Sequence, residues 1–70
     1  MMPLHYADQG ELQTIKKIGG NPEVKKHLEE LGFHVGGEVC VVSSLGKNLI
    51  VKVKESRVAV SDELARKIFV

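Results

Sequence analysis

The sequence predicts a small, mainly β barrel of about five short strands, with one early α-helix and a short late helical turn. Three observations point there. Short runs rich in Val, Leu and Ile recur through the second half of the chain, with apolar and charged residues alternating in the clearest of them. Gly, Asn and Ser punctuate those runs as turn signals. With 70 residues, 43% hydrophobic and 27% charged, residues 1–70 can bury one core and have no room for a second domain.

Asp8-Gln9-Gly10 reads as a turn, and residues 11–18 follow as one extended first strand stopped by Gly19-Gly20. Asn21-Pro22-Glu23 is a helix start: Asn caps free amides, Pro at the first helical position loses no needed donor, and Glu suits the helix dipole. Val24, Leu28 and Leu31 form the apolar stripe of that helix, while Gly32 ends it and Phe33 folds back on the last turn.

His34-Val35-Gly36-Gly37 is expected to turn the chain into a second strand over residues 38–43. A turn over residues 45–48 leads to a third strand, residues 49–54, in which Leu49, Val51 and Val53 share one face and Lys52 and Lys54 the other. Glu55-Ser56 should turn into a fourth strand, residues 57–60, with Val58 and Val60 inward. Ser61-Asp62-Glu63 begins a helical turn, and residues 67–70 close as a final strand. Closure into a barrel protects strand edges that would otherwise aggregate, so the SH3-like class is favoured over an open α+β sheet with a helix across one face.

Ten Lys/Arg against nine Asp/Glu leave a net charge of +1, too small to draw in polyanions at long range. Cys40 is the single cysteine, so no internal disulfide forms, in keeping with a reducing compartment. The N-terminus has no basic stretch followed by an apolar run and is not read as a secretory signal. No apolar run approaches the ~20 residues of a spanning helix, so membrane association is expected only through a partner.

A metal reading would recruit His5, His27, His34 and Cys40, whose spacing matches no compact ligand motif; no metal or other cofactor is expected. Cys40 sits in a valine run with no evident base, and Glu29-Glu30 and Asp62-Glu63 read as solvated faces, so no enzyme is expected. Lys52, Lys54 and Arg57 permit a weak nucleic-acid reading, opposed by the small net charge and by only Tyr6, Phe33 and Phe69 as aromatics. Gly19-Gly20 and Gly36-Gly37 begin no phosphate-binding fingerprint and are turn residues.

The order Pro3-Leu4, Gly10, Ile15, Ile18-Gly19, Leu28, Leu31-Gly32-Phe33, Gly36, Val39, Val58-Ala59-Val60, Ala65, Ile68 and Val70 resembles the ferrous iron transport protein A family, FeoA, over nearly the whole chain. The resemblance implies an SH3-like fold and a cytoplasmic accessory protein that binds the cytoplasmic side of FeoB, the GTPase-containing ferrous iron transporter, supporting its assembly or activity. Similar domains occur at the C-terminal end of iron- and manganese-dependent repressors, which makes a metal-binding or metal-sensing domain the alternative; this sequence holds no helix-turn-helix. A small barrel docks through a few apolar anchors, and Leu4 and Tyr6 on the N-terminal arm with Phe33, Val35, Leu45 and Leu49 around the central turns are the candidates. Phe33 and Leu49 also have the character of core residues. Self-association is compatible with this reading.

Overall fold

A computed structural model describes residues 1–70. The one long helix, α1 (Pro22–Leu31), begins as its sequence dictates: Asn21 Oδ1 accepts a hydrogen bond from the Val24 amide at 2.9 Å, Pro22 opens the first turn, and Glu23 lies at the positive end of the dipole. At the other end Gly32 adopts φ 107°, and its amide and that of Phe33 return to carbonyls of the last turn. Leu28 and Phe33 are buried there, with Val24 and Leu31 packed beside them.

Residues 11–18 form two strands where one was expected. Strand β1 (Leu12–Thr14) pairs antiparallel with β3 (Glu38–Leu45), whereas β2 (Lys17–Ile18) pairs with β6 (Ile68–Phe69). The switch falls at Ile15-Lys16. Ile15 donates to Gly37 O at 2.8 Å, and Lys16 donates to Phe69 O at 2.7 Å, so the chain leaves one sheet and enters the other while its buried Ile15 fills the corner.

The larger sheet has the order β1-β3-β4-β5, with β4 (Asn48–Val53) and β5 (Ser56–Ser61) forming a meander. Leu49, Val51 and Val53 are buried and Lys52 is exposed, as the alternation requires. The β4–β5 turn is Lys54-Glu55, one residue earlier than expected, because Ser56 already pairs with Val53. Lys54 takes φ 55°, a left-handed conformation that is costly for a residue with a Cβ. Lys54→Gly is therefore expected to raise stability by up to about 1 kcal/mol, net of the glycine entropy term; a urea midpoint at or below that of the parent would contradict this.

Strand β3 runs two residues beyond its expected end and carries a bulge between Val41 and Ser43. Val39 and Val41 face the core, and strict alternation would send Leu45 there too. The extra residue reverses the phase, so Ser44 pairs with buried Leu49 while Leu45 pairs with exposed Asn48.

Ser61 Oγ accepts from the Leu64 amide at 3.2 Å and starts α2 (Asp62–Ala65), the late helical turn. Thirteen buried residues, all hydrophobic, fill the space between the two sheets, α1 and the N-terminal 3₁₀ turn at Leu4–Tyr6. Met2 and Val70 exchange backbone hydrogen bonds at 2.9 and 2.8 Å, tying the two ends of the chain together.

Candidate functional site: a cleft beside the N-terminal turn

The N-terminal arm is held against the large sheet by backbone contacts. Gln9 makes a parallel bridge to Val41, and the Gly10 amide donates to Val41 O at 2.8 Å. The β3–β4 hairpin turns through Gly46-Lys47, with Gly46 at φ 60° supplying the positive φ that a two-residue loop needs. Asp62 then donates its amide to Lys47 O at 2.8 Å, which fixes the hairpin tip against the start of α2.

Between these parts lies a cleft of ≈ 280 Å³. His5, Ala7 and Gln9 form the wall on the arm side; Val41, Ser44, Asn48 and buried Leu49 form the sheet side; Gly46, Lys47 and Asp62 close the end. The lining is mixed, with one cation and one carboxylate among neutral polar groups. His5 meets the Tyr6 ring edge-on at a centroid distance of 4.9 Å, and its Nδ1 is buried without a hydrogen-bond partner.

Two large apolar side chains stay in solvent next in sequence to lining residues, without lining the cleft themselves. Tyr6, between lining residues His5 and Ala7, is 61% exposed, and Leu45, between Ser44 and Gly46, is 73% exposed. Leu49, a third candidate from the sequence, is the apolar floor, with little surface of its own.

The other candidates lie elsewhere. Leu4 and Phe33 are wholly inside the core, Leu4 beneath the 3₁₀ turn and Phe33 after α1, so neither offers surface to a partner in this conformation. The physical reason is volume: a barrel this small needs its largest apolar side chains to fill it. Val35 is 64% exposed but sits in the turn before β3, while Leu45 ends that strand. The eight residues of β3 span roughly 23 Å at ~3.3 Å per residue, so the turn holding Val35 and the hairpin end holding Leu45 lie at opposite ends of that strand.

His5, His27, His34 and Cys40 fall on the 3₁₀ turn, α1, the turn after it and β3. No group of three His, Cys, Asp or Glu side chains converges in a way that could hold a metal ion. No helix is long and apolar enough to cross a membrane. Sequence reasoning gave no role to Gln9, Ser44 or Asn48, and no spacing signal marks them, because the cleft draws on three separate stretches of chain.

The FeoA domain model matches residues 2–70. An Fe(2+) transport protein A of Methanocaldococcus jannaschii is 31% identical over 70 residues, covering all of this chain and 85% of the relative. The crystal structure of an iron uptake regulatory protein (FeoA) superposes with a TM-score of 0.88 at 25% identity, over 96% of this chain and 89% of that one. The solution structure of the FeoA protein from Chlorobium tepidum gives 0.85 at 21% identity, over 97% and 67%. A manganese-dependent transcriptional repressor also gives 0.85, at 16% identity over 94% of this chain and 38% of its own, a likeness of fold alone. The barrel is SH3-like, and the chain belongs to the FeoA domain family.

Proposed function

We propose that this chain is a cytoplasmic, non-enzymatic accessory protein of ferrous iron uptake that binds the cytoplasmic side of the transporter FeoB and supports its assembly or activity. One observation supports the docking site: Tyr6 and Leu45 are solvent-exposed and each stands in sequence between residues that line a single cleft with an apolar floor. Exposed aromatic and aliphatic side chains beside a concave surface are what binding hot spots are made from, since burying them removes apolar area from water at a place where neighbouring polar groups can exclude solvent. Family membership and the iron-transport name of the M. jannaschii relative support a role in ferrous iron transport, with which a transporter as partner is consistent.

Calorimetric titration with the soluble GTPase domain of FeoB, with and without nucleotide, tests this, alongside a separate titration with ferrous ion. Saturable heat with the domain is expected, and Tyr6→Ala or Leu45→Ala should weaken it by about tenfold or more with unchanged thermal unfolding, the usual cost of losing a hot-spot side chain. Absence of binding to both the GTPase domain and the whole detergent-solubilised transporter would overturn the reading. Ferrous binding by the isolated chain without binding to the transporter would favour a metal-sensing domain instead.

A further inference from the structure

The large sheet has a second face, turned away from the core. Its register places apolar side chains on all four strands along a diagonal band: Leu12 on β1, Cys40 and Val42 on β3, Ile50 on β4 and Ala59 on β5. Leu12 is 65% exposed, and Cys40, Val42 and Ile50 are half-buried without belonging to the set packed against the core. Four strands ~4.8 Å apart make this stripe roughly 14 Å long, the rise of about nine helical residues.

Charge on this face is arranged to one side of the stripe. Lys52 and Arg57 lie directly opposite each other across β4 and β5, in the row that continues Leu12 and Cys40, and Lys54 follows in the turn. Like charges in facing positions destabilise a sheet, so this pair is electrostatically unsatisfied by its own ladder. Below the row lies a hollow of ≈ 330 Å³ lined by Leu12, Glu38, Cys40, Lys52 and Lys54, Glu38 being its one carboxylate.

We propose that this face is a second docking surface, separate from the cleft, and that its occupant is an acidic amphipathic helix of a protein partner. A helix laid on a sheet face is a standard layer packing, and its apolar stripe of i, i+4 and i+7 side chains, roughly 10 Å long at ~1.5 Å per residue, covers most of the diagonal. Its flanking carboxylates meet Lys52 and Arg57, while one apolar side chain enters the hollow. A second copy of this chain is the poorer occupant, because the hollow beside these cations holds a single carboxylate, Glu38, to meet Lys52, Lys54 and Arg57 of another copy. Nucleic acid is poorer still, since the face has no aromatic side chain to stack on bases. The inference does not depend on FeoB being the partner at the cleft.

The test is an amide-resolved NMR titration of the ¹⁵N-labelled chain with two synthetic helical peptides that share leucines at i, i+4 and i+7. One carries Glu on its flanks and the other carries Lys. The Glu peptide is expected to move the amides of Leu12, Cys40, Ile50, Lys52 and Arg57, with affinity falling as salt rises, and the Lys peptide to move none of them. Lys52→Glu with Arg57→Glu should weaken the Glu peptide by about tenfold or more, and the milder Lys52→Gln with Arg57→Gln by less, as charge reversal and removal on an exposed rim predict. Shifts confined to the cleft, equal response to both peptides, or no response would overturn the proposal. So would shifts on this face that depend on protein concentration alone, which would assign it to a second copy.

Discussion

Phe33→Ala is expected to leave the chain largely unfolded at room temperature. The ring is completely buried, at the point where the chain leaves α1 and the Phe33 amide bonds back to Leu28 O. Truncating a buried Phe costs about 3–5 kcal/mol through lost transfer energy and the cavity left behind. A single core in a chain of this size rarely supplies more than about 3–5 kcal/mol in total, so the loss is of the same order as the whole stability. Far-ultraviolet circular dichroism with a thermal melt reads the result. Tyr6→Ala and Leu45→Ala, run alongside, should stay within about 0.5 kcal/mol of the parent because they remove exposed atoms. A Phe33→Ala chain that melts with the parent would mean that the ring contributes no packing.

Gly32→Val should be the most damaging change at the helix end. Gly32 holds φ 107°, and a Cβ there would lie 3.5 Å from Val53 Cγ1, an ordinary contact distance. Space for the first carbon exists, so the cost arises chiefly in the backbone. A β-branched residue at such a φ is an outlier, and strain of this kind costs about 1–3 kcal/mol. Relief by rotating φ would break the amide contacts that turn Phe33 into the core. Urea unfolding is expected to show a lower midpoint with Gly32→Val than with Gly32→Ala; equal midpoints would locate the cost elsewhere.

The parts of the fold that could be read from sequence are those set by neighbours. Asn21, Pro22 and Gly32 bound α1 because capping and chain reversal are decided within one turn of helix. Leu49, Val51 and Val53 announce their own face by alternation. The division of residues 11–18 could not be read in the same way, because Ile15 and Lys16 find their partners at Gly37 and Phe69, far along the chain. The β4–β5 turn moved by one residue because pairing of Val53 with Ser56 outweighed the poor left-handed propensity of Lys54.

The candidate site was legible only in its apolar members. Tyr6 and Leu45 can be nominated as apolar residues beside turns, but the same criterion selects Leu4, Phe33 and Leu49, which the barrel needs as filling. Hydrophobicity alone does not distinguish an anchor from a core residue. Leu45 lies at the surface rather than in the core because of one unpaired residue in β3, and the length of that same strand separates it from Val35. Both are properties of register, which no local composition encodes.

The bulge at Val42 has a bearing on how chains of this family are aligned. Since the extra residue is absorbed within β3, a relative with one residue fewer at this point can keep Val39 and Val41 inward and still present its hairpin tip as this chain does. A gap opened there exchanges no faces on either side of it, whereas the same gap shifted into β4 would invert Leu49, Val51 and Val53. Alignments should therefore place single-residue length differences at Val42, and the identity of the tip residue at position 45 can then drift independently of the core.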